Sequence, residues 1–364
     1  MIIGVDASKL LSKNQTGVEI STSELIKALI KEDQENIYWL YSPAPLPKTI
    51  IGATNRIRNI VVPGKRFWTV WALSRELKKN PPDIFWSPSN FLPYNLPKKS
   101  VATIHDLAFH LFPKSYSLKS RLLSTFALKR AINCADMLVA VSRQTKKDLK
   151  DYFNVAGENI EVVYNSLRTD FLNPQESSTD FIKAYPNLSK YFIYLGRLEL
   201  RKNLLNIITA FHQFNRETVE PKLFLGGSPG YGYKTIRKLI KKLKLEDKVI
   251  IADYVPAEYL PALYKNSLGV VFVSQYEGFG LNILEGFATG APVMTSDLGA
   301  MREIAGNAAL LINPFSINDI QQGFNKLYLD SNLRTALINK GKDRLKDFDW
   351  NQSAKKLIEL WKKI

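Results

Sequence analysis

Short apolar runs alternate with amphipathic stretches along the whole chain. In the first half the apolar runs read MIIGVDA, IYWLYSP, IRNIVV, PDIFWSPS, VATIHDL, DMLVAVS and IEVVYNS. The second half repeats the alternation with YFIYLG, KLFLGG, KVIIADYV, LGVVFVS, APVMTSD and AALLINP. Strands that alternate with helices form a parallel sheet with helices on both faces, so the pattern predicts an α/β fold with two doubly wound halves.

A polar, turn-prone segment between Asp170 and Leu188 separates the two halves. A chain of 364 residues is also longer than one hydrophobic core usually serves. We therefore predict one Rossmann-like domain over residues 1–175, a second over residues 185–345, and a final helix over residues 346–364 that crosses back to the first domain. Open parallel sheets bind ligands at the carboxyl ends of their strands, so we expect a cleft between two such domains.

Composition narrows the class of protein. No window approaches the roughly 18 to 20 uninterrupted apolar residues that a membrane span needs. The N-terminus opens into an apolar run with no basic leader, which predicts a cytoplasmic protein. A single cysteine and three histidines offer neither an internal disulfide nor a metal cluster, and we expect Cys134 to be a buried helix residue.

The charge is strongly positive and unevenly placed. The net charge is +16, and residues 51–150 hold 18 Lys and Arg against 5 Asp and Glu. This bias calls for an anionic partner such as nucleic acid, anionic lipid or a phosphorylated ligand. Residues 64–79 and 114–131 read as basic helices, the first one rich in aromatic residues. They could form an interfacial surface on an anionic membrane, or a solvated charged face with the tryptophans buried in the core.

The stretch QYEGFGLNILEGFATG, residues 275–290, follows the apolar run LGVVFVS, which we expect to end as a strand at Ser274. A helix is predicted to begin near Asn282 or Ile283, and its free N–H groups would suit a phosphate. Glycines at 278 and 280 would let the backbone approach a ligand closely. Asn282 as N-cap with Glu285 at N3 would form a capping box, which accounts for one glutamate but not for Glu277.

This stretch resembles the signature of two glutamates, separated by seven residues, of the retaining glycosyltransferases of family four, the glycosyl transferases group 1, which have the two-domain GT-B fold. The resemblance covers nearly the whole chain. Further landmarks occur in the family's order: TGV at 16–18, TIHD at 103–106, VAVSRQT at 139–145, VVYNS at 162–166, YLGRLELRKN at 194–203, DYVPAEYLPALY at 253–264 and FDW at 348–350.

The resemblance implies roles for residues of the second half. Glu285 would hold the ribose of a nucleotide-sugar donor, and Glu277 would bind hydroxyls of the transferred sugar. Arg197 and Lys202 would neutralise the leaving diphosphate; as a bare pattern, such a pair is more often a solvated surface pair. The remaining donor contacts would come from the backbone of the glycine loop and from residues that select the donor: Phe279, Gly280, Leu281, Asn282, Tyr254 and Val255.

In the first half, the resemblance places His105 near the donor sugar, where it would contribute a hydrogen bond at the reaction centre. A lone histidine is more often a structural residue, and only its position favours function. Asp106 could orient His105 or cap the next turn. Gly17 matches the glycine of a loop that covers the donor phosphates, although Thr16 stands where the family has a further glycine.

We predict no essential metal and no required cofactor beyond the donor substrate. Asp347 and Asp349 form a D-x-D string, but Asp349 is better explained as the N-cap of the last helix. Trp350 and Trp361 are then expected to be packing residues.

The chain is thus predicted to be a hexosyltransferase that moves mannose from GDP-mannose to a lipid-linked or envelope glycan acceptor. It would act in the cytoplasm, with peripheral contact to the inner face of the plasma membrane. The first alternative is transfer from a UDP-sugar carrying glucose or N-acetylglucosamine. A nucleotide-sugar epimerase, a phosphorylase and a nucleic-acid binder are further alternatives. We expect no nucleic-acid partner, because no reader module is recognisable and such a role leaves the paired glutamates unexplained.

Overall fold

The computed structural model describes residues 1–12, 17–47, 55–172, 184–186, 188–218 and 220–364. The chain divides into two compact units. The first unit consists of Met1–Leu111, Leu118–Ser166 and Asp349–Ile364, and the second of Phe112–Ser117 and Leu167–Phe348. The division thus falls after Ser166, earlier than the expected boundary at residue 175, and six residues that follow Leu111 belong with the second unit.

The first unit is built on a parallel sheet. Seven strands are paired within its described part, in the order β3-β2-β1-β4-β5-β6-β7. Their bounds are β1 Ile2–Asp6, β2 Ile37–Ser42, β3 Ile57–Val61, β4 Ile84–Ser87, β5 Ser100–Ile104, β6 Met137–Ala140 and β7 Ile160–Val162. The strand order reverses between β1 and β4, as in doubly wound sheets.

The second unit has its own parallel sheet. Among the described residues six strands pair in the order β10-β9-β8-β11-β12-β13. Their bounds are β8 Tyr191–Leu195, β9 Lys222–Gly226, β10 Val249–Ala252, β11 Gly269–Phe272, β12 Val293–Ser296 and β13 Leu310–Ile312. Because β8 and β11 are direct neighbours in this sheet, the loops that follow them meet at one edge. The expectation of two doubly wound α/β halves is confirmed.

Helices connect the strands in both units. Their bounds are α1 Gly17–Glu32, α2 Ser74–Lys79, α3 Ala108–Leu111, α4 Leu118–Cys134, α5 Arg143–Phe153, α6 Thr169–Leu172, α7 Leu204–Glu217, α8 Tyr233–Lys242, α9 Leu260–Lys265, α10 Leu281–Thr289, α11 Gly299–Ala305, α12 Ile317–Leu329, α13 Ser331–Leu345 and α14 Trp350–Lys363. Short 3-10 turns include Leu200–Lys202, and Thr69–Leu73 is a π-helical segment. No helix in the described ranges is both long and apolar enough to cross a membrane.

Helix α14 belongs to the core of the first unit. Its N-cap is Asp349, whose carboxylate accepts a hydrogen bond from Asn351 N at 3.0 Å, as predicted. Trp361 is almost completely buried, and its ring lies 6.1 Å from that of Tyr38 and 6.3 Å from that of Trp86. Truncating a buried tryptophan typically costs about 3–5 kcal/mol. The predicted packing role of Trp350 and Trp361 is confirmed.

Two details of the first unit differ from the sequence prediction. Cys134 ends helix α4, but its side chain is exposed and not buried. Residues 64–79 do not form one basic helix: the π-helical segment precedes α2, and the aromatic residues point to different environments. Trp68 is buried and donates from Nε1 to Val62 O at 2.6 Å, whereas Phe67 and Trp71 are exposed. Burial of the tryptophans is thus confirmed for Trp68 and wrong for Trp71, and the membrane interpretation of this stretch stays a prediction.

Candidate functional site

The glycine loop leads from β11 into helix α10. The strand ends at Phe272, two residues before the expected end, and α10 begins at Leu281. Gly280 is its N-cap, with φ at 109°, a conformation that side chains with a Cβ rarely adopt. Because Gly280 and not Asn282 is the N-cap, the alternative explanation of Glu285 through a capping box with Asn282 is wrong. Ile283 N donates to Gly280 O at 3.0 Å, and a glycine cap has no side chain that could accept from the N–H groups of Leu281 and Asn282.

Asn282 and Glu285 meet at the hydroxyl of Tyr264. Tyr264 donates to Glu285 Oε2 at 2.7 Å and accepts from Asn282 Nδ2 at 2.9 Å. The same Asn282 amide donates to Leu195 O at the end of β8, at 2.8 Å. Glu285 is buried in the second turn of α10, and burial raises its pKa despite the hydrogen bond from Tyr264. The carboxylate is thus held by one donor and has further acceptor capacity.

Glu277 is the centre of a buried charge cluster. Lys202 Nζ lies 2.5 Å from Glu277 Oε1, and Arg201 Nη1 lies 3.5 Å from Glu277 Oε2. Arg201 also donates to Tyr276 O at 2.9 Å and pairs with Glu199 at 3.0 Å. Two carboxylates and two cations therefore balance each other at the point where the loops after β8 and β11 meet. Buried charges of this kind persist only when they are paired and hydrogen-bonded.

The cluster shifts the acidity of its members. Burial opposes ionisation of Glu277, but the positive charges of Lys202 and Arg201 outweigh it and hold the pKa of Glu277 below its usual range. Burial lowers the pKa of Lys202 even though Glu277 opposes that change. Glu277 is therefore an ionised carboxylate at neutral pH that already has its charge compensated.

Other predicted donor residues of the second unit differ in their exposure. Arg197 is exposed, in contrast to Lys202, so the predicted cationic pair consists of one accessible and one mostly buried cation. Tyr254 is also exposed, whereas Val255 is buried. Phe279 is buried and its ring meets that of Phe348 edge-on at 5.9 Å. Leu281 is half-buried as the first residue of α10.

His105 lies in the first unit, just after β5. Its Nε2 is 2.8 Å from Pro88 O. Since a carbonyl oxygen only accepts hydrogen bonds, Nε2 carries the proton and Nδ1 is an acceptor in the neutral ring. Burial lowers the pKa of His105, which favours that neutral form. Asp106 accepts from Ala108 N at 3.0 Å, so it caps the next turn, the second of its two predicted roles.

His105 also borders a small pocket within the first unit. The pocket wall is mostly apolar and includes Trp86, Pro88 and Thr103. Gly17 is the exposed first residue of α1. Its neighbour Thr16, at which the sequence departs from the family pattern, lies outside the described residues.

The structure thus gathers Lys202, Glu277, Gly280, Asn282 and Glu285 at one sheet edge of the second unit. Three residues of this site were missed by the sequence analysis: Glu199, Arg201 and Tyr264. Arg201 stands next to Lys202 in LELRKN, but the sequence does not tell that both adjacent cations contact Glu277. Within the described ranges no group of three His, Cys, Asp or Glu residues could hold a metal ion.

This arrangement suits a ligand that is both anionic and rich in hydroxyls. The N-terminus of α10 offers N–H groups and a positive dipole end to phosphate oxygens. Lys202 and Arg201 add positive charge beside it, and Glu277 and Glu285 supply acceptors for hydroxyls. A phosphorylated sugar or nucleotide combines these two features.

Comparison with known proteins agrees with this geometry. The family model "Glycosyltransferase Family 4" matches residues 15–171, and the model "Glycosyl transferases group 1" matches residues 177–344. The chain therefore belongs to the group 1 glycosyltransferases of family four, and its two doubly wound units are those of the GT-B fold.

Individual proteins are similar to this chain in sequence or in fold. O-antigen chain mannosyltransferase B of Escherichia coli is 28% identical over 296 residues, which cover 80% of this chain and 76% of that protein. The structure of sucrose-phosphate synthase from Thermosynechococcus elongatus superposes with a TM-score of 0.78 at 20% identity, covering 100% of this chain and 98% of that one. Anabaena HepE in complex with UDP-glucose has a TM-score of 0.74 at 18% identity, covering 100% and 99% of the two chains.

Proposed function

We propose that this glycosyltransferase moves mannose from GDP-mannose to a lipid-linked or envelope polysaccharide or oligosaccharide acceptor, with retention of anomeric configuration. The mannose donor and the glycan acceptor are supported by the similarity to an O-antigen chain mannosyltransferase. The observation that carries the proposal is the contact of Lys202 and Arg201 with Glu277, beside the glycine-capped N-terminus of α10.

Each residue of the site then has a role. Glu285, held by Tyr264, accepts hydrogen bonds from the ribose, and Glu277 accepts them from hydroxyls of the sugar. Lys202, Arg197 and the N-terminus of α10 compensate the negative charge that grows on the leaving diphosphate. The backbone of Phe279, Gly280, Leu281 and Asn282 meets the sugar and phosphates, and residues around Tyr254 and Val255 select the donor. In the first unit, His105 adds a hydrogen bond at the sugar and Gly17 approaches the phosphates.

The charge cluster also bears on the stereochemical course. A carboxylate whose charge is compensated by two cations is a poor nucleophile, because attack would remove that compensation. The Lys202 and Arg201 contacts to Glu277 therefore favour same-face substitution without a covalent glycosyl-enzyme intermediate.

A second candidate donor is a UDP-sugar carrying glucose or N-acetylglucosamine. It is supported by the similarity in fold to a protein whose structure contains UDP-glucose. An epimerase on the same fold would convert a donor in the absence of any acceptor, which separates it from both transferases.

The donor is tested by isothermal titration of the purified chain with GDP-mannose, UDP-glucose and UDP-N-acetylglucosamine. Glu277→Ala is compared with Glu246→Ala, which removes an exposed carboxylate of the same unit. We expect GDP-mannose to bind, Glu277→Ala to weaken it at least tenfold, and Glu246→Ala to leave it unchanged. Binding of none of the donors would refute the proposed function, and selective binding of a UDP-sugar would replace GDP-mannose by the second candidate.

The proposed setting is the cytoplasm, with peripheral contact to the inner face of the plasma membrane, where lipid-linked acceptors are presented. We propose no nucleic-acid partner and no essential metal. Turnover of the donor in the presence of excess chelator tests the last point: undiminished activity is expected, and complete loss that divalent cations restore would contradict it.

A further inference from the structure

Helix α4 is apolar on two opposite faces. Its core-facing side is formed by Ala127, Leu128 and Ala131, all buried. At the helical repeat of 100° per residue, Leu118, Leu122 and Phe126 share the opposite face. These three side chains are 64–68% exposed, and the adjacent Leu123 is 45% exposed. A surface helix of a globular protein normally presents polar residues on that side.

A second group of exposed apolar side chains comes from the segment before α2. Phe67 and Trp71 are 52% and 60% exposed. Phe67 also has φ at 60°, a strained backbone conformation for a bulky residue. The guanidinium of Arg66 lies 5.0 Å from the centre of the Phe67 ring. The fold therefore accepts strain at a position whose aromatic side chain stays in solvent, which indicates a function for that side chain.

Specific hydrogen bonds connect the two groups. On α4, Arg130 donates to Pro93 O and Tyr94 O at 2.7 Å, and its guanidinium lies 5.3 Å from the ring centre of the exposed Tyr94. The next residue, Asn95, bonds to Ser74 through both its backbone and its side chain. Ser74 is three positions after Trp71. We define the docking face as this connected set of exposed apolar residues: Phe67, Trp71, Tyr94, Leu118, Leu122, Leu123 and Phe126.

Basic residues are frequent in the segments that carry the docking face. Residues 64–131 hold twelve Lys and Arg against three Asp and Glu. Eleven of these twelve belong to the first unit, and ten of the eleven are exposed, namely Lys65, Arg66, Arg75, Lys78, Lys79, Lys98, Lys99, Lys119, Arg121 and Lys129. On α4, Lys129 follows Phe126 along the apolar stripe and Lys119 lies beside the stripe. Exposed apolar side chains interspersed with exposed cations match a surface with negative headgroups above an apolar interior.

We propose that the docking face binds an anionic lipid bilayer, with the leucines and aromatic rings inserted below the headgroups and the lysines and arginines on the phosphates. The biological role of this membrane contact rests on the proposed function, because a lipid-linked acceptor would be presented at the same membrane. A second copy of the chain fits this face poorly, since two such faces would bring like charges together. Nucleic acid would account for the cations and aromatic rings but not for the leucine stripe.

The test is co-sedimentation of the full chain with vesicles of phosphatidylglycerol and phosphatidylcholine, without donor or acceptor. The variant Leu118→Ser/Leu122→Ser/Phe126→Ser removes exposed side chains only, so we expect its thermal unfolding to match that of the wild type. It should lower vesicle partitioning at least about a hundredfold. As single changes, Leu122→Ser should lower it about tenfold, and Leu329→Ser, on an even more exposed leucine of the second unit, should leave it unchanged.

Charge is tested in the same way. Lys119→Glu/Lys129→Glu is compared with Lys234→Glu/Lys238→Glu, the same charge change on exposed lysines of α8. The first pair should lower partitioning more than tenfold and the second less than threefold. The proposal would be overturned if both lysine pairs lost partitioning equally, or if the triple variant partitioned like the wild type. It would also be overturned if the triple variant instead lost binding of a nucleic-acid oligomer or lost self-association.

The experiments distinguish failure of the membrane-binding proposal from failure of the proposed glycosyltransferase function. Glu277→Ala should lose donor binding and keep vesicle binding, and the triple variant should do the reverse. If the wild type bound no donor but the vesicle results were as expected, the proposed function would be refuted and the membrane-binding proposal would stand.

Discussion

The ammonium group of Lys202 lies 2.5 Å from the carboxylate of Glu277, although the two residues are 75 positions apart in the chain. They meet because Lys202 follows β8, Glu277 follows β11, and these strands are neighbours in the second sheet. The parallel sheet thereby converts two separate sequence motifs into one site.

We expect Lys202→Met to lower the rate constant of donor turnover by a factor of about 10² to 10³, as the loss of one group that stabilises transition-state charge typically does. Lys234→Met removes an exposed lysine of α8 and is the matched control. Steady-state kinetics with the donor found by titration measure both. A kcat within fivefold of wild type would exclude Lys202 from the chemistry.

We expect Arg201→Met to destabilise the protein by about 3–5 kcal/mol, because it leaves Glu199 and Glu277 buried with one cation between them. The free energy of unfolding in urea measures the loss. Arg302→Met breaks an ion pair on the surface and should cost about 1 kcal/mol or less. Equal small losses in both variants would show that the buried cluster is not cooperative.

Tyr264→Phe removes the hydroxyl that joins Asn282 and Glu285. Leaving these buried groups without that partner should cost about 1–3 kcal/mol. If Glu285 holds the ribose, the donor KM should rise about tenfold while kcat changes little, because the contact is equal in the ground and transition states. Tyr191→Phe removes another buried hydroxyl, bonded to Leu263 O, and should leave KM unchanged. A rise in KM for both variants would indicate general damage to the unit.

We expect His105 to make the free energy of unfolding increase with pH in the mildly acidic range. Burial lowers its pKa in the folded protein, so the unfolded chain binds more protons between that lowered pKa and about 6.5. Stability should therefore rise with pH across this window and fall as the protein is acidified through it. The difference in unfolding free energy between wild type and His105→Gln, measured by urea titration from pH 4.5 to 7.5, isolates this contribution. A difference that does not vary with pH would contradict the assignment.

Gly280→Ala places a Cβ 3.1 Å from Ile283 Cδ1 in a backbone with φ at 109°. We expect a loss of about 1–3 kcal/mol in unfolding free energy and weaker donor binding, because the start of α10 must shift. Gly157→Ala, where a Cβ would make only ordinary contacts, is the control for the glycine change itself. Unaltered donor binding in Gly280→Ala would separate the N-terminus of α10 from the phosphates.

The strands of both sheets were predictable from the sequence because each is a compact apolar run between turn residues. The site was predictable only in part. Glu277, Lys202 and Glu285 were named through the family resemblance, whereas Arg201 and Tyr264 were missed. Their roles depend on which side chain the sheet buries, as in the pairing of Tyr264 with α10, and one sequence does not contain that information.

The burial of the aromatic residues in the first half was likewise not predictable from the sequence. Trp68 and Trp71 lie three positions apart in a basic stretch, yet one is buried and the other exposed. The difference arises where the π-helical segment interrupts regular helical spacing, which the periodicity of apolar residues does not reveal. The exposed stripe of α4 was likewise hidden, since Leu118, Leu122 and Phe126 could equally have faced a core.

The position of α14 sets an order of events during synthesis. The core of the first unit contains Trp350 and Trp361, which are translated only after the whole of the second unit. During translation the core of the first unit therefore stays incomplete until α14 emerges from the ribosomal exit tunnel. Until then the side chains of Tyr38 and Trp86 lack their contact with Trp361. The second unit therefore has all of its own residues before the first unit does, and nascent chains that stop short of Trp350 expose apolar surface of the first unit that α14 covers in the complete fold.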